Sequence, residues 1–282
     1  MIDSGKHTAV QAPGDAIAAP RDKSVSRRRP KRPLLTQVRG LQLISVVVLL
    51  FLWKAISTQT SSLTLPGPVP VFVSLVKLLF SLDFWHSLLV SSQSMVFGYA
   101  ISVVIGLSVG IAVGSISRRV GIIFDAYLLM GLAIPIAGII PVIVMVFGIG
   151  LTARVVVVLL FAVFQITINV VTGVREADRT LVEMAHSFGA SPLLIFRRII
   201  LPDAMPGIMT GMRLGLGRAI VGMVTSELIL LSVGVGKMVV NFSSTFQTAN
   251  LLAYLMLIVA FGVVMMAVVQ RVESRLTRWH KE

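Results

Sequence analysis

The strongest constraint on the fold of this 282-residue sequence is a set of six long apolar runs. They cover residues 41–56, 88–114, 122–147, 155–174, 206–231 and 251–269. A helix needs roughly 20 apolar residues to cross the hydrocarbon core of a bilayer, and inside that core every backbone polar group must be satisfied internally. We therefore predict an all-α polytopic membrane protein with about six transmembrane helices.

The composition excludes several other classes of protein. Only 13% of the residues are charged, against about 25% in an average soluble domain, and the spans leave no length for a separate catalytic domain. The chain has no Cys, and its four His are scattered. Because no group of His, Asp and Glu faces one site, we predict neither a metal site nor an enzyme active site.

The distribution of Lys and Arg predicts the orientation. Residues 1–39 hold nine Lys and Arg against three acids, which is typical of a disordered basic tail. Since Lys and Arg collect on the cytoplasmic side of membranes, we place this tail, the loop 175–205 and the basic C-terminus 271–282 in the cytoplasm. The first transmembrane helix and an outer link then occupy residues 40–87, and the core transmembrane domain residues 88–270. The net charge of +13 is read as a topology signal, so the expected partner is the lipid bilayer and not a nucleic acid.

The loop after span four has the pattern of two short helices. Asp178 is placed to cap the first helix, and Leu181, Ala185 and Phe188 then share one face. Gly189 follows, as a residue able to adopt a positive φ where a helix ends.

The second helix of this loop is predicted to begin at Ser191 and Pro192 and to end at Leu201 and Pro202. A helix pair with a small apolar face can dock into a groove on a soluble partner or lie on the membrane surface. The residues alone leave both interpretations open.

The same loop resembles that of the ABC importer permeases. Their loop reads Glu-Ala-Ala, three residues, Gly, nine residues, Ile, one residue and Leu-Pro. This chain has Glu183-Met184-Ala185, Gly189, Ile199 and Leu201-Pro202 at those spacings, and only Met184 departs from the pattern. The wider context of residues 88–236 is similar to the nitrate, taurine and alkanesulfonate branch.

The resemblance implies a type I ABC importer permease-like fold and a function in uptake of a small, anionic solute, although the branch also handles some cofactor-precursor heterocycles. It implies that the helix from Glu183 to Gly189 couples to an ATPase subunit. The expected partners are two ATPase subunits, a second permease copy in a homodimer and an extracytoplasmic solute-binding protein, all at the bacterial inner membrane. ATP and Mg²⁺ would bind the ATPase, so no cofactor and no catalytic residue are expected here. The alternative is a self-sufficient ion-coupled secondary transporter, which usually shows internal repeats and acids at the membrane midplane.

A Gly-rich stretch after span five is close to a phosphate-binding loop. It lacks the required Gly at position 231, where Leu stands, and Met238 replaces the Ser or Thr that would follow Lys237. We therefore interpret it as a Gly-rich outer turn, so ATP hydrolysis must occur on a separate subunit.

Two spans carry ridges of small residues. Span two has one at every fourth position, Gly106 and Gly110 among them, and span five repeats the spacing with Gly211 and Gly215. Such ridges let helix backbones approach closely in lipid. They predict close packing, either within the chain or against a second copy.

Polar residues and prolines within the spans are candidates for the translocation path, because they are costly in lipid. The candidates are Pro135, Gln165, Asn169, Arg218 and Glu227. For Arg218 and Glu227 two interpretations stay open: structural partners within the bundle, or residues that border the path.

Overall fold

The structure is a computed structural model that describes residues 35–61, 64–116, 118–230 and 233–276. All regular elements in these ranges are helical, which confirms the all-α prediction. The elements are α1 Leu35–Gln59, α2 Pro68–Leu79, α3 Leu82–Ser115, α4 Arg118–Ala133, α5 Ile136–Phe147, α6 Leu151–Arg175, α7 Arg179–Ser187, α8 Pro192–Ile195, a π-helical turn Phe196–Ile200, α9 Leu201–Leu230, α10 Gly234–Ser244 and α11 Thr248–Leu276. Residues 1–34 of the predicted tail and residues 277–282 lie outside the described ranges.

Three of the described helices are long and apolar enough to cross a membrane, namely α3, α6 and α11. Two bent pairs raise this number to five if each pair forms one span. One pair is α4 with α5, bent by 86°, and the other joins Pro192–Leu230 to α10 at 54°. The remaining predicted span corresponds to the shorter apolar segment Ile44–Gln59 of α1.

The chain divides into two compact units, Met1–Val48 and Leu49–Glu282. In the second unit, α6 lies between α3 and α9 and contributes many of its buried residues. Hydrogen bonds between spans join these helices: Ser102 Oγ donates to the Leu159 carbonyl at 3.1 Å, and Tyr99 Oη to the Met212 carbonyl at 2.9 Å. We call the end at which α6 leads into α7 the α7 end of the bundle, and the opposite end the α10 end.

Both ridges of small residues pack inside the chain. A Cβ atom on Gly110 of α3 would stand 2.6 Å from Val170 Cβ of α6, and one on Gly211 of α9 would stand 2.9 Å from Asn169 Cβ. Gly106 and Gly215 face Ile166 of α6 from its two sides. The interpretation in which these ridges meet a second copy is therefore wrong, because α6 already occupies both.

The prolines act differently from one another. Pro135 separates α4 from α5, whereas Pro141 lies inside α5. Pro202 does not end the second loop helix, and that prediction is wrong. The helix continues through the π-helical turn, in which the Leu201 N–H donates to the Phe196 carbonyl five residues earlier. A π-helical turn alters the bonding where a proline ring would clash with the preceding turn.

The predicted outer turn after span five contains a helix. Gly234 has a φ of +74°, and α10 begins at this residue. Sequence reasoning missed α10 because its first three residues, Gly234, Val235 and Gly236, are typical of a turn and show no helical spacing of apolar residues.

Candidate functional site

The α7 end carries the segment that the sequence analysis assigned to coupling. Asp178 Oδ1 accepts from the Thr180 N–H at 2.8 Å and caps α7, as predicted. At the other end Gly189 has a φ of +75°. Its N–H donates to the His186 carbonyl at 2.9 Å, and the Ala190 N–H donates to the Ala185 carbonyl at 3.0 Å. This pair of bonds closes a Schellman motif, which fixes the direction in which the chain leaves α7.

The second helix of the segment also begins as predicted, since Ser191 Oγ accepts from the Leu194 N–H at 3.4 Å. Its Ile195 side chain is buried, whereas Ile199 and Leu201, in and after the π-helical turn, are half-buried.

Asp203 of α9 ties the segment to the bundle, and sequence reasoning missed it. Its Oδ2 accepts from the Asp178 N–H at 2.8 Å. The contact joins the start of α7 to the start of α9. The only sequence signal for it is an acid in the first turn of a helix, which is common and nonspecific.

The segment presents an apolar face that nothing in the chain covers among the described residues. Phe188 is 83% exposed and Leu193 75% exposed. Leu181 and Met184 are also exposed, whereas Ala185 on the same side is half-buried. Exposed apolar residues grouped on one short segment are typical of a docking surface.

A cavity of about 840 Å³ lies between this segment and the spans. Its lining includes Asp125 of α4, Arg175 of α6 and Arg179 of α7. Arg175 Nη1 donates to Asp125 Oδ2 at 2.6 Å, so an ion pair joins α4 to the last turn of α6. A basic residue there also suits the negative end of the helix dipole.

The path candidate Arg218 lies beside the break between α4 and α5. Ile134 and Ile136, on either side of Pro135, line a small cavity of about 50 Å³ with Phe164 and Arg218. Arg218 is exposed, and it has no ion-pair partner within the described part of the chain. The break therefore lies beside a fixed positive charge.

Gln165 and Asn169 share one face of α6. Asn169 Nδ2 donates to the Gln165 carbonyl at 2.7 Å, and both side chains are half-buried. Asn169 also packs against Gly211 of α9. Asn169 thus lies at the junction of α6 and α9.

Glu227 lies at the α10 end, fully buried at 0% exposure. Of the two interpretations left open for Arg218 and Glu227, a pairing of these residues with each other is wrong, because the cation beside Glu227 is Arg154, whose Nη1 donates to Oε1 at 3.1 Å. Ser91 Oγ donates to Oε2 at 2.7 Å, and the Gly236 N–H donates to the same oxygen at 3.2 Å. Sequence reasoning missed this network, because it joins four separate elements.

Among the described residues, no three His, Asp or Glu side chains come close enough together to hold a metal ion. The expectation that the chain holds no metal or cofactor stays a prediction.

Comparisons with known proteins agree with this architecture. A model of the family described as "Binding-protein-dependent transport system inner membrane component" matches residues 104–278. The taurine transport system permease protein TauC of Escherichia coli (strain K12) is 31% identical over 268 residues, which cover 93% of this chain and 97% of that protein. The protein named "Putative aliphatic sulfonates transport permease protein SsuC" of Bacillus subtilis (strain 168) is 29% identical over 255 residues, covering 90% of this chain and 91% of the relative.

A solved structure, that of the MetNI methionine ABC transporter in inward facing conformations, has the same fold. One of its chains matches with a TM-score of 0.54 at 22% identity, covering 76% of this chain and 99% of that chain. This agrees with the predicted type I ABC importer permease fold. On the family match and the taurine relative, the chain belongs to the binding-protein-dependent transport system inner membrane components, the permease subunits of ABC importers.

Proposed function

We propose that this permease couples to separate ABC ATPase subunits through the segment from Asp178 to Pro202. The observation that carries the proposal is the exposed apolar face of that segment, with Phe188 at 83% and Leu193 at 75% exposure. A buried docking site on a soluble partner would remove this face from water. Because the Gly189 turn and the Asp203 contact fix the segment against α9, a displacement of the docked helix would move α9 with it.

The proposed assembly has two ATPase subunits, two permease copies and an extracytoplasmic solute-binding protein. ATP and Mg²⁺ bind the ATPases, and this chain supplies the translocation path. In this assembly the α7 end faces the cytoplasm, in line with the positive charges of residues 175–205. The exposed apolar side chains of α5, such as Met145 and Val146, are available to lipid or to the second copy.

We propose that the solute is a small sulfonate. Two relatives are named for taurine and aliphatic sulfonates, both of which carry a sulfonate group. Arg218 supports this class, because an exposed cation beside the α4–α5 break attracts a negatively charged sulfonate group electrostatically.

The test uses two exposed phenylalanines at opposite ends of the bundle. Phe188 lies on the proposed docking face, and Phe246, 72% exposed, follows α10. The affinity-purified chain from its own host should carry an ABC ATPase identified by mass spectrometry and hydrolyse ATP. Phe188→Ser should lose both, whereas Phe246→Ser should keep them.

Proteoliposomes of the purified complex should take up taurine only when ATP and the solute-binding protein are supplied. Uptake driven by a proton or sodium gradient without ATP would instead support the secondary-transporter alternative. Equal ATPase recovery from Phe188→Ser and wild type would reject the docking role of the segment.

A further inference from the structure

The buried network around Glu227 does more than neutralise two charges, because it holds the N-terminus of α10. Glu227 Oε2 accepts from the Gly236 N–H at 3.2 Å, and Ser91 Oγ accepts from the Val235 N–H at 2.9 Å. These two amides belong to the first turn of α10, whose N–H groups have no partner inside the helix. The carboxylate thus sits where the helix dipole favours a negative charge.

The glycines of this stretch explain how α10 comes so close. A Cβ atom on Gly236 would stand 2.5 Å from Glu227 Cβ, and one on Gly234 would stand 2.5 Å from both carboxylate oxygens. The Gly-rich stretch that resembles a phosphate-binding loop therefore receives a carboxylate of its own chain. Backbone amides donate to it as they would to an anionic ligand.

Arg154 compensates the buried charge. Arg154 belongs to the first turn of α6, where the positive end of the helix dipole alone would disfavour a cation. A buried ion pair of this kind contributes little net stability, since its desolvation offsets its attraction and apolar replacements are often as stable. Stability alone therefore does not explain why a carboxylate stands at position 227.

Glu227 also lies near the end of a long helical body. The helix runs from Pro192 through the π-helical turn to Leu230, about 58 Å at about 1.5 Å per residue. This exceeds the roughly 30 Å of a bilayer core. The body thus connects the segment at the α7 end directly to the anchor of α10.

We propose that Glu227 is a positioning residue for transport, which pins the N-terminus of α10 so that α9 and α10 move as one body. Displacement of the α7 segment would then reach α10 at the opposite face of the membrane. The transport part of this inference rests on the proposed coupling function, whereas the anchoring of α10 does not.

Two double variants separate the anchor from the ion pair. Arg154→Met with Glu227→Gln removes both charges but keeps an amide oxygen that can accept from Gly236. Arg154→Met with Glu227→Met removes both charges and the acceptor, with side chains of similar size. If the pair served only to balance charge, the two double variants would behave alike.

Hydrogen–deuterium exchange of the purified permease measures directly how well the first amides of α10 are protected. We expect the amide of Gly236 to exchange at least about tenfold faster in the Met double variant than in the Gln double variant, since its buried hydrogen bond to residue 227 is lost. In the assembled transporter, ATP-driven taurine uptake should fall by a similar factor between the two, while ATP hydrolysis changes by less than about twofold. Equal exchange in both variants would overturn the anchor, and unequal exchange with equal uptake would overturn its role in transport.

A milder pair of variants covers the case in which the Met double variant does not fold. Ser91→Ala removes the acceptor of the Val235 N–H, whereas Ser94→Ala removes an equally buried hydroxyl that bonds only to its own helix, at the Ser91 carbonyl. Faster exchange at Val235 in Ser91→Ala, but not in Ser94→Ala, supports the anchor, and equal exchange contradicts it. If no ATPase subunit copurifies with the permease, the proposed coupling function is wrong. The exchange measurements still test whether Glu227 and Ser91 hold the N-terminus of α10.

Discussion

Gly207 of α9 lies backbone against backbone on Gly173 of α6: a Cβ atom at position 207 would stand 2.7 Å from the Gly173 Cα atom. These two glycines flank the segment 175–205 on either side. The crossing therefore keeps α6 and α9 in contact next to the two ends of the segment. Glycine is required because the opposing atoms are backbone and cannot rotate away.

The first prediction tests this crossing. Gly207→Ala should destabilise the permease by about 1–3 kcal/mol, the cost of overpacking a close contact. Gly217→Ala on the same helix is the control, because its Cβ would meet only the flexible end of Met266, at 3.4 Å. The midpoint of thermal unfolding in detergent should fall for Gly207→Ala alone. Equal midpoints for the two variants would contradict the close crossing.

The second prediction concerns the turn at Gly189, whose φ of +75° suits glycine. Gly189→Val should raise the free energy of this conformation by about 1–2 kcal/mol. The variant should therefore change the direction in which α8 leaves the turn. Since a Cβ atom there would meet nothing within 4 Å, the effect is conformational rather than steric. We expect normal membrane abundance with a collapse of ATP-driven uptake.

The control for that variant is Gly189→Asn, because Asn tolerates a positive φ better than other residues with a Cβ atom. It should retain more uptake than Gly189→Val. Similar loss in both variants would indicate that the φ of residue 189 does not matter for coupling.

The third prediction concerns Arg218 beside the α4–α5 break. Arg218→Gln should lower uptake of a sulfonate such as taurine while the complex still assembles and hydrolyses ATP, because a fixed positive charge that would attract the sulfonate group is lost near the path. Lys237→Gln on α10 is the control, since that residue is also exposed. Loss of the protein from the membrane, or unchanged uptake, would remove Arg218 from the path.

The fourth prediction concerns orientation. The chain has no Cys, so single cysteines report without background. Ser243→Cys after the anchored turn of α10 and Thr152→Cys at the start of α6 should react with an impermeant thiol reagent added outside the cell, because both positions are exposed at the α10 end. Ser187→Cys at the α7 end should react only after the membrane is opened. Labelling of Ser187→Cys from outside would reverse the topology.

Local features were predictable from the sequence because their physical causes act within a few residues. The cap at Asp178, the start at Ser191 and the positive φ of Gly189 each depend on neighbours at most five positions away. The length of the apolar runs likewise determined the all-α membrane architecture, since a bilayer admits few other solutions. The motif around Glu183 indicated the family for the same reason, as a contiguous pattern.

Only the tertiary structure decided which faces meet. Glu227 pairs with Arg154, 73 positions away, and binds Ser91, 136 positions away, so no local pattern specifies either partner. The spacing of the small residues predicted close packing at Gly110 and Gly211, but the rotation and neighbours of the helices determined that both ridges face α6. Such pairings depend on how whole helices fit together, because a helical period defines a face without naming what covers it.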